Sequence, residues 1–266
     1  MIKDNAVWRG DNEKAEVLMI AVSKTCLSLS LVFLLMWSQS VFAQTSQKDS
    51  EQAAQLLATF LNAGRVVIER NQSLINDPGK GDKGFTPEVF ERLVLDEFFQ
   101  QSHIDLKHPP SRLPSPTRNL LTMLLLASKE VVADAQLVIN QRGIGYKNFI
   151  PASFGSQAAR KFSKQSKVTM KQTTLDPRNL KNAPDAYEET VLKRLANEPP
   201  PSAPVVEWVD GGRLLRTVMP IYYSEDCLTC HGSPKGILDI SGYPREGARA
   251  GELAGAISIQ IPSDHR

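Results

Sequence analysis

Residues 227–231 read Cys-Leu-Thr-Cys-His, followed by Gly232. At this spacing two sulfurs can add to the two vinyl groups of a haem while the adjoining imidazole turns onto the iron. On that chemistry Cys227 and Cys230 are the thioether residues of one covalent haem c, and His231 is its proximal iron ligand. Three other chemistries use part of the pattern. A redox dithiol sets its first cysteine at a helix N-terminus within a βαβ unit. Here Tyr222-Tyr223-Ser224-Glu225-Asp226 leads in and Gly232-Ser233-Pro234 leads out, which reads as a loop. A structural zinc ion needs a full tetrahedral ligand set, and adjacent Cys230 and His231 bite poorly on one metal. A disulfide across so short a loop constrains little of the unfolded chain.

The remaining cysteine, Cys26, lies in a stretch with the form of an export signal. Lys24 precedes the apolar run Leu27–Trp37, and Val41-Phe42-Ala43 is a small-residue cleavage pattern that makes Gln44 the mature N-terminus. Residues 1–43 are therefore expected to be a cleaved Sec-type signal peptide, with Met19 an alternative start to Met1. The run falls short of the roughly 20 apolar residues of a membrane span, so an uncleaved anchor is the weaker alternative. Haem c is assembled outside the cytoplasm, and a leader is what the motif requires. The expected location is the periplasm.

A net charge of +2 offers little attraction to nucleic acid or an anionic surface, and no nucleic-acid partner is expected. Aromatic residues are 7% of the chain, so a haem would supply much of the apolar contact in its own pocket.

The elements that must position the motif follow from periodicity. Residues 49–76 carry apolar side chains at helical spacing, and Asn76-Asp77-Pro78-Gly79 stops them. Thr86 is an N-cap with Pro87 at the first helical position, opening a helix over 88–101. After a proline-rich link, Thr117 is the expected cap of a third helix running through to Ile139. Residues 67–90 laid over 131–154 match at Val67/Val131, Gln72/Gln136, Ile75/Ile139, Asn76/Asn140, Gly79/Gly143, Gly81/Gly145, Lys83/Lys147, Phe85/Phe149, Pro87/Pro151 and Phe90/Phe154. About one or two identities would arise by chance, so this half is expected to contain a duplicated unit. From residue 160 the period changes. Residues 167–171, 205–209, 214–218 and 256–261 read as strands, with Asp210-Gly211-Gly212 as a hairpin turn and Asp185 capping a helix over 186–196. Helices before and strands after give an α+β domain over 44–266, with a helical half (49–160) and a sheet and attachment half (161–262).

Several separated stretches occur in a recognisable order. They are Ile75-Asn76-Asp77, Gly84-Phe85-Thr86-Pro87, Phe149-Ile150-Pro151-Ala152, Lys171-Gln172-Thr173-Thr174-Leu175 with Arg178-Asn179, and Asn182-Ala183-Pro184-Asp185. Met219-Pro220-Ile221-Tyr222 then leads to the Cys227–Gly232 motif, and Gly251-Glu252-Leu253-Ala254-Gly255-Ala256-Ile257-Ser258 closes the series. The series resembles a bacterial family of exported c-type haem domains, Tll-type, found alone or fused to histidine kinases and chemoreceptors. The resemblance implies a PAS-like antiparallel sheet with long N-terminal helices, haem c, and a role in redox or small-ligand sensing. Some stand-alone members use a cysteine as second axial ligand, and this chain has none to spare. Met219 is the candidate distal ligand nearest the motif, with Met123, Met170, His103 and His108 as alternatives, or a water or vacant position. Arg178 and Lys171 are candidate partners of the haem propionates, or else surface charges.

Two functions remain open at this stage. One is a periplasmic haem c protein that senses redox state or a small ligand and signals to a separate partner protein. The other is a single-haem electron-transfer cytochrome. An enzyme is not expected, because a peroxidase needs a distal acid–base group that no motif here supplies.

Overall fold

The computed structural model describes residues 46–263; the expected signal peptide and its cleavage site lie outside them. The unit that begins at Asp49 carries the helices, the sheet and the Cys227–His231 turn.

Helix α1 covers residues 46–70, and a break at Asn71 leads into the short α2 (Gln72–Ile75). Helix α3 (Pro87–Ser102) starts as expected: Thr86 Oγ1 accepts the Val89 N–H and Pro87 fills a position whose N–H has no helical partner. Helix α4 (Ser115–Asp134) starts earlier than expected, because Pro116 suits the first helical turn, so Thr117 is buried inside the helix instead of capping it. It also ends earlier. The chain breaks at Ala135 and resumes as α5 (Gln136–Ile139), and helix α6 (Pro151–Gln165) follows.

The duplication is visible as a set of reciprocal hydrogen bonds. Asn140 Oδ1 accepts the Lys83 N–H at 2.9 Å, and Asn76 Oδ1 accepts the Lys147 N–H at 3.1 Å. Gln136 Nε2 donates to the Phe85 carbonyl at 3.0 Å, and Gln72 Nε2 donates to the Phe149 carbonyl at 2.9 Å. Each repeat thus satisfies the loop of the other. Phe90 and Phe154 meet at 5.2 Å between them, flanked by edge-on Phe85 and Phe149. Each such buried phenylalanine contributes about 1.5–3 kcal/mol. Pairs of groups 64 residues apart exchange equivalent contacts, as two copies of one unit facing each other must.

Four antiparallel strands, β1 (Thr169–Thr173), β2 (Val205–Val209), β3 (Leu214–Tyr222) and β4 (Leu253–Pro262), form a sheet in the order β1-β4-β3-β2. Helices before an antiparallel sheet give the α+β class expected. Strand β1 lies two residues later than its alternation suggested, because α6 runs on to Gln165. Strand β3 runs past Val218 and tolerates Pro220, since pairing with β2 ends at Val218 and that side of the strand then needs no donor. One face of the sheet packs Met170, Leu215, Ile257 and Ile259 against the helical core. There Gln172 reaches Ala152 O and Ser156 Oγ across the bare backbone of Gly155. The other face carries helix α7 (Ala186–Leu195), opened by a capping box of Asp185 and Glu188, with Val191, Leu192 and Leu195 against Val218 and Ala256. Among the described residues, no helix is long and apolar enough to cross a membrane.

Candidate functional site

The motif lies in the long excursion between β3 and β4, two neighbouring strands. Leu228–His231 form a single helical turn, α8, with Cys227 at its N-cap. The Cys230 and His231 N–H groups donate to the Cys227 carbonyl at 3.2 and 3.0 Å, and Gly232 N–H donates to Leu228 O at 2.9 Å. The loop expected here is thus a helical turn framed by loops. The spacing i, i+3, i+4 sets both thiols and the imidazole on one side of it. Gly232 ends the turn where a Cβ would stand 2.6 Å from the Leu228 carbonyl oxygen. Cys227 and Cys230 are free thiols, each partly exposed. Burial, with the Asp239 carboxylate nearby, pushes the Cys230 thiol up, against the thiolate character a redox dithiol needs. Among the described residues, no group of three or more His, Cys, Asp and Glu could hold a metal ion.

His231 is held by a carboxylate. Its Nδ1 lies 2.8 Å from Glu246 Oε2, and the Ala248 N–H donates to the His231 carbonyl at 2.8 Å, fixing the chain that carries Glu246 beside the turn. The Tyr223 ring stands 5.1 Å from the imidazole. Burial, then the Glu246 charge, pushes the Tyr223 hydroxyl up to about 12. With Nδ1 engaged, Nε2 is the nitrogen left to ligate.

Arg178, from the loop after β1, ties this arrangement together. Its Nε and Nη2 donate to Glu246 Oε1 and Oε2 at 2.6 and 2.8 Å, its Nη1 to Asp239 Oδ2 at 2.6 Å, and its Nη2 also to the Cys230 carbonyl at 2.9 Å. Burial opposes ionisation of Glu246, but Arg178 and His231 outweigh it and hold the carboxyl below its usual range. Burial likewise opposes the charge on Asp239. Hydrogen bonds from Ser241, Arg178 and the Tyr243 N–H prevail and hold that carboxyl well below the usual range. Arg178 is therefore engaged by two carboxylates, which displaces the propionate role considered for it. Lys171 lies on the α7 face, donating to Glu188 and to the Ala183 carbonyl.

The Cys227 end of the turn meets α1. Ser224 Oγ bonds to Glu69 Oε1, and the Cys227 sulfur lies 3.2 Å from Ser224 Oγ and 3.7 Å from Glu69 Oε1. One helical turn earlier, Arg65 donates to Asn62 Oδ1 at 3.1 Å while its Nε is buried without a hydrogen-bond partner among the described residues.

The distal candidates are scattered. Met219 stands in β3 opposite Ile257, among apolar groups packed on the helical core. Met170 is buried on the same face of the sheet, and Met123 packs on the core from α4. His103 ends α3 in a left-handed conformation, and exposed His108 pairs with Asp105.

The donor set fits a haem. Two thiols and a histidine with a free Nε2 share one side of a turn, and an apolar lobe follows directly. In that lobe Ile237, Leu238 and Ile240 are 55, 63 and 65% exposed, unusual for large aliphatic side chains close together in sequence. Asp239 anchors the lobe to Arg178. Glu246 and Asp239 had no signal in the sequence, since neither lies in a motif or a periodic segment.

A family model described as Tll0287-like matches residues 43–262. No curated protein matches the chain. Among solved structures, a cyanobacterial haem protein, Tll0287, aligns with a TM-score of 0.40 at 18% identity, covering 57% of this chain and 98% of that one.

Proposed function

From the premise that this chain belongs to the Tll0287-like family, we propose that it is an exported, non-enzymatic haem c protein. Cys227 and Cys230 hold the haem as thioethers, and His231 Nε2 is its proximal ligand. The observation that carries this reading is the single turn presenting both thiols and a histidine whose Nδ1 is already bonded to Glu246. A bound haem supplies a one-electron iron couple and an axial position for a small ligand. The chain's own residues supply the coupling. Glu246 and Arg178 connect the histidine to the loop between β1 and α7, while Glu69 connects the attachment turn to α1. Such connections suit a redox or ligand sensor acting in the periplasm on a separate partner protein. The second reading, an electron-transfer cytochrome, is favoured by the exposed Ile237–Ile240 lobe, which would leave a haem edge near the surface.

The full chain, exported with its own leader in a host that matures c-type cytochromes, tests the reading. The expected result is haem that survives denaturation and acid–acetone extraction, and loses that resistance in Cys227→Ser/Cys230→Ser. Extractable haem, or none, would overturn it. Ready binding of CO by the reduced protein favours ligand sensing. Indifference to CO favours redox sensing or electron transfer.

A further inference from the structure

We propose that Glu246 is a positioning residue for the axial histidine: it selects Nε2 as the iron ligand and biases the iron toward its oxidised state. This rests on the haem reading above.

When a metal takes Nε2, a neutral imidazole must carry its proton on Nδ1, and among the described residues the group that meets that proton is Glu246 Oε2 at 2.8 Å. The carboxylate cannot drift, because Arg178 grips both of its oxygens and the Ala248 N–H pins the neighbouring backbone to His231. A carboxylate accepting that proton raises the electron donation of the ring. Its negative charge also favours ferric over ferrous iron, because the ferric ion carries the greater positive charge. Arg178 offsets part of that charge, so the pair sets an intermediate bias that either partner's loss would move, in opposite directions. Arg178 does not need a glutamate at this place, since it already has Asp239 as a buried counter-ion.

The test compares wild type with Glu246→Gln, Glu246→Asp and a remote control, Glu189→Gln, on α7 where Glu189 pairs with Lys193 at the surface. Covalent haem content is measured first, then the midpoint potential and the ferric EPR g-values. Glu246→Gln keeps an acceptor and removes the charge. It should keep its haem and shift the reduction equilibrium toward ferrous by about tenfold, about 59 mV for a one-electron couple. Glu246→Asp keeps the charge for Arg178 but draws back from the imidazole. It should change the g-values and raise the potential by less. The control should move neither. If both Glu246 variants keep covalent haem with wild-type potential and g-values, the proposal is wrong. If wild type loads haem and both variants do not, the role is structural and the proposal is equally wrong. Failure of wild type to load haem would instead sink the haem reading itself.

Discussion

The Arg178–Asp239 pair is the joint on which the site architecture depends, and its strength can be worked from the contacts. The Asp239 side chain is 0% exposed. Its Oδ1 accepts the Ser241 N–H at 2.8 Å, the Ser241 hydroxyl at 2.6 Å and the Tyr243 N–H at 3.1 Å, while Oδ2 takes Arg178 Nη1–H. Arg178→Met keeps most of the side-chain volume and strips Oδ2 of its cation. Breaking a buried ion pair from one side costs about 3–5 kcal/mol. Arg178 retains 22% exposure, so water replaces part of what is lost, and about 2–4 kcal/mol is expected. Asp239→Asn should cost a similar amount. The double variant should cost less than the sum by about 1.5–3 kcal/mol, because the second change removes the charge stranded by the first. Urea unfolding of the haem-loaded chain, followed by far-UV circular dichroism, measures all corners of the cycle, with equal slopes confirming comparable unfolded states. A loss under about 1 kcal/mol for Arg178→Met, or strict additivity, would refute the view that this pair anchors the lobe to the haem turn.

Further consequences can be checked independently. Arg178→Met leaves Glu246 less neutralised, so the midpoint potential should fall, opposite in sign to Glu246→Gln; a rise would contradict the electrostatic account. Asp239 has a depressed folded-state pKa, so its contribution is fully present above the unfolded carboxylate value near 4 and is lost as pH falls below it. Urea midpoints should run parallel in wild type and Asp239→Asn from pH 6 to about 4 and then fall more steeply in wild type down to about pH 3, and curves that stay parallel below about pH 4 would count against it. The reciprocal repeat predicts crossed hydrogen exchange: Asn76→Ala should speed exchange at the Lys147 amide by about tenfold and Asn140→Ala at the Lys83 amide. Exchange rising at the mutated repeat's own lysine would refute the swap. Gly64→Ala would gain about 1 kcal/mol of helix propensity, but its Cβ would stand 2.7 Å from the buried Phe154 ring. Overpacking of about 1–3 kcal/mol should win, and a rise in Tm would show the helices less closely packed than described.

What the sequence made legible was whatever is local or repeated. The Cys227–His231 spacing is a property of one turn, so the side on which those groups fall follows from helical geometry alone. Thr86-Pro87 and the Asp185–Glu188 box are caps whose partners lie within three residues, and Asp210-Gly211-Gly212 marks a turn whose three residues all take positive φ. The repeat was legible because identical residues do identical work in each copy: Asn76 and Asn140 are retained as acceptors, Gln72 and Gln136 as donors. What stayed hidden shares the opposite property. Arg178 lies 61 and 68 residues from its two carboxylates, and the segment 232–252 has no period by which to place either. Met219 shows the same limit from the other side. Its nearness to the motif in sequence suggested a ligand, but alternation along β3 turns it toward the helical core with Leu215 and Ile221. The helix boundary at Ala135 was misplaced for a tertiary reason as well. Gln136 must free its amide to reach Phe85 in the other repeat, and a straight helix through Ala135 competes with that contact. Distance along the chain is therefore a poor guide to the sixth ligand. On the α1 side of the turn, Arg65 presents a buried Nε with no hydrogen-bond partner among the described residues, a group whose desolvation is uncompensated until an anion or polar ligand meets it. Arg65→Leu should thus leave covalent attachment intact and change affinity for an anionic or polar axial ligand such as cyanide. Unchanged cyanide binding would remove Arg65 from the axial environment and return attention to the β3 face.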